Sequence, residues 1–142
     1  MRVEGVPGLE GGALVVRPRA DGRTVGRFPF PTEPVHVLTA HDPGPVRLAP
    51  EENGRRQAAL VASLDGRERY RAVAGAEDGS HAEESVLVVG LTDAEARAIG
   101  ATWGQDAVFR WTRDAWEIDP CDGGPAARRG WETRVEEPQR SE

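Results

Sequence analysis

The stretch EESVLVVGL, residues 83–91, constrains this chain more than any other. A strand sends successive side chains to opposite faces, so a run that is apolar at every position must be covered above and below. Two adjacent carboxylates, Glu83 and Glu84, stand directly before that run. They either form a solvated rim where the strand leaves the core or line a site.

The elements around this strand follow from periodicity and turn chemistry. VHVLTA, residues 35–40, reads as a short strand with Val35, Val37 and Thr39 on one side and His36, Leu38 and Ala40 on the other. After the proline-rich HDPGPVRLAP, a helix begins at or near Glu51, where acidic residues suit the helix dipole. Its expected buried stripe is Gln57, Leu60, Val61 and Leu64, and Asp65-Gly66 ends it. RYRAVAGA predicts a second strand and EDGS, residues 77–80, a turn. Thr92 with Glu95 forms a capping box for a second helix, whose core face is Ala96, Ile99 and Trp103 and which Gly104 terminates. DAVFRWT and AWEID follow as strands joined across Arg113-Asp114.

This order predicts an α+β fold: a ferredoxin-like βαββαβ sandwich, residues 34–119, with an extra C-terminal strand. Residues 1–33 read as a Gly-, Pro- and Arg-rich leader with a candidate N-terminal hairpin. Its arms are residues 13–16 and 24–28 around Asp21-Gly22. Residues 120–142 read as a flexible C-terminal tail, on which Trp131 could dock. A sandwich with helices on one face leaves the second face of VLVVGL uncovered, and either the N-terminal hairpin or a homodimer partner would have to cover it.

Composition excludes several chemistries. All 18 basic residues are arginine, so Schiff-base, pyridoxal-phosphate and P-loop lysines are absent. The single cysteine, Cys121, rules out an internal disulfide and a cysteine-rich zinc site. His36, His41 and His81 show no diagnostic metal spacing, so neither a metal nor a cofactor is expected. A formal charge of −6 argues against nucleic acid as partner. Arg55, Arg56, Arg67, Arg69 and Arg71 are largely neutralised by nearby acids. With no secretory leader and no apolar run of membrane length, the expected location is the cytoplasm.

From Val35 to Thr112 the chain resembles the bacterial domain-of-unknown-function family 3293. The residues that carry the resemblance are Thr39-Ala40 with Pro43, Glu52-Asn53, Glu84-Ser85 with VLVVGL, and Gly104-Gln105 with Ala107-Val108-Phe109. The family's loop usually shows an aromatic residue and then Asn-Pro, where this chain has His41-Asp42-Pro43. The resemblance supplies a pattern and no reaction.

In the expected topology the first and third core strands run parallel, gathering His36, Glu83, Glu84, Ser85, Gln105 and Asp106 at one end of the sheet. A carboxylate and a histidine in reach of one another act as base and acid, so Glu84, His36 and Ser85 are the candidate catalytic residues. Gln105, Asn53, Thr39 and Arg56 are the candidate ligand-binding residues. The first reading is a small binding or regulatory module with a polar pocket at the strand-entry end, taking a small-molecule ligand. The alternative is a small enzyme, a hydrolase or tailoring activity, using Glu84 with His36 or Ser85; an RNA-associated protein is the weakest.

Overall fold

The computed structural model describes residues 1–75 and 82–138, so the expected turn over residues 77–80 and His81 lie outside the described residues. The elements are β1 (Arg2–Glu4), β2 (Ala13–Arg19), β3 (Thr24–Val25), β4 (Val35–Leu38), α1 (Pro50–Ser63), β5 (Arg69–Ala74) and β6 (Glu83–Val89). They continue with α2 (Asp93–Thr102), β7 (Ala107–Trp111), β8 (Trp116–Pro120) and β9 (Ala127–Glu136). The strand order is β2-β1-β5-β6-β4-β7-β8-β9, and β9 returns to pair with β2. Every one of these pairings is antiparallel, so the sheet is a closed eight-stranded barrel. The two-residue β3 adds in parallel alongside β9.

The ferredoxin-like sandwich is therefore corrected. β4 and β6 are antiparallel neighbours, Leu38 opposite Val86 and Val35 opposite Val89, not parallel strands. The leader supplies β1 and β2, and the tail supplies β9. The expected hairpin does not form in its expected pairing. Its first arm lies in β2, which pairs with β1 and β9, while β3 runs along β9 instead. Asp21 does make the turn, accepting from Arg23 N at 3.0 Å and from the Arg19 guanidinium. The chain then crosses so close to β9 that a Cβ on Gly130 would lie 2.1 Å from the Arg23 carbonyl.

Closure resolves the two-sided strand. Leu87 and Val89 face the barrel interior, with Val3, Leu14, Val16, Val35, Val37, Trp111, Trp116 and Trp131. Val86 and Val88 face outward, into a second core with Leu38, Leu60, Leu64, Ala96 and Val108 beneath the two helices. An eight-stranded barrel is just wide enough for side chains to fill. Phe28 and Phe30 come in from the segment after β3, with Phe28 edge-on to Trp111 at 4.9 Å between centroids. Arg113 fastens that segment by donating to the Phe30 carbonyl at 3.0 Å and stacking over the Phe28 ring. Trp131 is buried here, its indole N–H donating to the Thr112 carbonyl at 2.9 Å.

The helices follow their sequence signals. Proline opens α1 and its buried positions include Gln57 and Leu60. Both halves of the Thr92–Glu95 capping box are formed. Gly104 has φ +78 after α2, and a Cβ there would lie 2.6 Å from Pro43 Cβ, so this position needs glycine both for its conformation and for its closeness.

Because closure depends on the two terminal segments, the piece covering residues 34–119 lacks β1, β2 and β9. It should lose cooperative urea unfolding and near-ultraviolet dichroism, both of which the full chain should retain. A cooperative transition in that piece, with native-like aromatic dichroism, would show that the terminal strands are dispensable.

Candidate functional site

The structure separates the three candidate catalytic residues. His36 lies opposite Val88 on β6, so Glu84 is four residues, about 13 Å, farther along that strand. Ser85 points the other way, into the barrel wall opposite Ala72, its Oγ donating to the Glu83 carbonyl at 3.3 Å. Glu84 is exposed and ion-paired with Arg71. The antiparallel β4–β6 register replaces the expected common rim of residues 35–36 with residues 83–85: what meets Glu84 is Thr39, whose hydroxyl donates to the Glu84 carbonyl at 2.8 Å.

His36 instead belongs to a charged network under the start of α2. Its ring is wholly buried, and Nε2 lies 2.8 Å from Asp93 Oδ1, which also accepts from Arg110 Nε at 2.9 Å. The chain of charges continues through Glu117 to Arg128, each link 3.5 Å. Since the carboxylate can only accept, Nε2 carries the proton and Nδ1 is left buried with no hydrogen-bond partner. Burial pushes the His36 pKa below its ordinary value, against the opposing pull of Asp93. For Asp93 burial acts upward, but the bonds from His36 and Arg110 outweigh it and hold the carboxyl below its usual range.

The candidate ligand-binding residues form a different assembly, a knot that fixes the loop between β4 and α1. Asn53 Oδ1 accepts from Asp42 N at 2.9 Å, and its amide donates to Asp42 Oδ1 at 2.9 Å. That same oxygen accepts from Leu48 N at 2.8 Å. Leu48 N and Asn53 are the main reasons that the Asp42 pKa is depressed. Asp42 has φ +41, a left-handed conformation held in place by these bonds. Arg56 Nε donates to the Ala40 carbonyl at 2.9 Å and its other arm to the Trp103 carbonyl at 2.5 Å. Gln105 donates to the His41 carbonyl at 3.0 Å, and Gln57 accepts from Ala40 N at 3.1 Å. Thr39, Asn53, Arg56 and Gln105 thus all bond backbone in this knot, which gives each a structural task.

The sequence reading missed the wall of the barrel opposite the helices. α1 packs mainly against β6, and α2 against β4 and β7, while the wall of β5, β1, β2 and β9 lies outside that main packing and meets α1 through Arg69, which donates to the Leu64 carbonyl at 3.3 Å. Along that wall Arg134, Val15, Arg2 and Val73 stand in register across the four strands. A groove of about 780 Å³ runs here, lined by Arg2, Arg17 and Arg134 with Val15 and Val73. It reaches Gly75 and Ala82, at the end where β6 begins. A second groove of about 500 Å³ shares Arg2 and adds Glu4, Arg69, Tyr70 and Arg71. Two of these arginines, Arg2 and Arg17, belong to the leader and Arg134 to the tail, so only alternation in ALVVRPR hinted at an outward basic row.

Among the described residues no group of histidine, cysteine and acidic side chains is arranged to hold a metal ion. Cys121 is half-buried and its thiol is pushed up, first by burial and then by Asp119, which is the opposite of an activated nucleophile. Among the described residues no helix is long and apolar enough to cross a membrane.

Comparison with known proteins gives one family. The family described as "Protein of unknown function (DUF3293)" matches residues 38–108, half of the chain. No curated protein and no solved structure matches. The matched segment runs from the end of β4 to the start of β7 and contains the whole Asp42–Asn53–Gln105 knot.

The His36 site makes stability depend on pH. A folded-state pKa below the unfolded value of about 6.5 means that the unfolded chain binds the proton more readily. The contribution is therefore fully present above that pH and is lost as pH falls below it towards the folded pKa. The urea midpoint should drop between about pH 7.5 and 5.5, and His36→Gln, which keeps a donor towards Asp93 but does not titrate, should flatten that slope. An equal slope in both proteins would remove His36 as its source.

Proposed function

Because the chain belongs to the DUF3293 family, whose description carries no reaction, we propose a function from its own geometry: a small binding module that holds an anionic, partly apolar ligand on the wall of β5, β1, β2 and β9. The observation that carries this reading is the groove at the β6-entry end. Three arginines rim it, Glu136 is the acidic residue among the described lining and accepts from Arg2 Nε at 3.2 Å, and Val15, Val73 and Pro18 supply apolar surface. A pocket of this kind orients a ligand by a few charged groups and holds its body by apolar contact. Arginine suits the task because its planar fork pairs with carboxylate, sulfonate or phosphate oxygens.

The barrel interior is lined by aromatic and aliphatic side chains, a poor setting for a charged ligand. The enzyme reading built on Glu84, His36 and Ser85 has less support. The three occupy separate surroundings, and both His36 and Ser85 are closed to solvent.

The dye 1-anilinonaphthalene-8-sulfonate has an apolar body and one anionic group, so it tests the groove directly. Its fluorescence should rise saturably with the native chain. Arg134→Glu should weaken that binding about tenfold, roughly 1.4 kcal/mol, without changing the melting temperature. Affinity indifferent to Arg134→Glu, or no saturable binding, contradicts the proposal.

A further inference from the structure

We infer that the barrel interior is a second binding site, for an uncharged aromatic molecule with a hydrogen-bond acceptor, and that the Phe28 ring stands in the place such a molecule takes. The inference is independent of the groove on the outer wall, whose lining includes none of Phe28, Phe30, Trp111 and Trp131. Its first observation is a donor without an acceptor. Trp111 is wholly buried inside the barrel, and among the described residues its indole N–H has no hydrogen-bond partner. The nearby Trp131 has the bond that Trp111 lacks, to the Thr112 carbonyl at 2.9 Å. The rings set against Trp111 are those of Phe28, Phe30, Trp116 and Trp131, and none carries an oxygen. Leaving a buried donor unpaired is costly, and native structures rarely do so.

The second observation is how Phe28 is held. In RFPFPTEP, residues 27–34, phenylalanine alternates with proline, and an extended backbone sends both rings to one side, towards the barrel core. Pro29 and Pro31 have no N–H to give to a sheet ladder. Side chains from the barrel fasten this strap instead. Thr133 Oγ1 accepts from Arg27 N at 2.7 Å and donates to the Arg27 carbonyl at 3.0 Å. Arg113 bonds the Phe30 carbonyl, pairs with Glu33 and lies 5.1 Å over the Phe28 ring, yet its own side chain is exposed. Phe28 is only partly buried, whereas Phe30, Trp111 and Trp131 are buried, so its ring is the stopper at the surface end of the cluster. It belongs to no strand, and withdrawing it breaks no pairing of the barrel.

The ligand's chemistry follows from what the stopper touches. Phe28 meets Trp111 at 4.9 Å, Phe30 at 5.6 Å and Trp131 at 6.4 Å between centroids, the first two edge-on, a box that suits a flat aromatic ring. A carbonyl, ether or ring nitrogen on that ring gives the Trp111 N–H its acceptor. The cluster holds no charged residue, so burial excludes a charged ligand. Eight strands enclose room for packed side chains or for one small ligand, and exchanging one aromatic ring for another conserves the volume.

Acetophenone, a phenyl ring with one carbonyl, is the probe, and ethylbenzene is its analogue of similar shape without the acceptor. Titrated into the full chain and followed by nuclear magnetic resonance, acetophenone should bind saturably and move the Trp111 indole proton downfield. It should also abolish the Overhauser contacts between the Phe28 and Trp111 rings. Ethylbenzene should abolish those contacts without the downfield movement. Arg113→Gln loosens the strap from outside and should tighten acetophenone binding at least about threefold, because less of the affinity is spent on displacing Phe28. No saturable binding overturns the inference, as does binding that leaves the Phe28–Trp111 contacts intact. An indole proton that stays in place, or moves equally with ethylbenzene, removes the acceptor role and overturns it. Affinity indifferent to Arg113→Gln overturns the exchange of Phe28 for ligand.

Discussion

The seven-residue antiparallel pairing of β2 with β9, Ala13 opposite Glu136 through Arg19 opposite Gly130, is the constraint on which the rest of this structure depends. Without it the sheet would end in two edges, each a row of unpaired backbone donors and acceptors. The aromatic interior would also lose a wall, since Leu14 and Val16 come from β2 and Trp131 from β9. Closure therefore satisfies backbone hydrogen bonds and shields apolar surface in one step.

From closure follows the division of labour around the barrel. One side of the wall is apolar outward as well as inward and carries α1 and α2; the knot at Asp42, Asn53, Arg56 and Gln105 ties the loop between β4 and α1 to the end of α2. The opposite side carries charge outward and lies outside the main helix packing. The proposed ligand surface exists only because β1, β2 and β9 are strands of one sheet. Arg2, Arg17 and Arg134 are far apart in the chain and are brought together by strand register.

Much of the local structure was legible in the sequence. The five strands and two helices of residues 34–119 are found where periodicity, the Thr92–Glu95 box and Gly104 put them. The two-sided character of VLVVGL correctly demanded cover on both faces. What failed was pairing. Local pattern is blind to contacts such as Ala13 with Glu136, and a one-dimensional order β-α-β-β-α-β fits both a sandwich and part of a barrel wall. The leader misled because Gly5, Gly8 and Gly11, all at positive φ, look like a flexible composition yet make the tight turns that β1 and β2 require. The tail misled because its alternating Trp131, Thr133 and Val135 were diluted by arginine and glutamate. Once β4 and β6 proved antiparallel, the expected meeting of His36 with Glu84 dissolved, and the basic wall, split between both termini, had no local signature to find.

The most direct measurement is the pattern of nuclear Overhauser contacts between the segments 13–19 and 130–136 in the full chain. The barrel requires cross-strand Hα–Hα and amide contacts that place Val16 beside Thr133 and Leu14 beside Val135. Absence of those contacts, with residues 127–136 showing the averaged shifts of a free tail, would contradict closure and with it the assembly of the arginine wall.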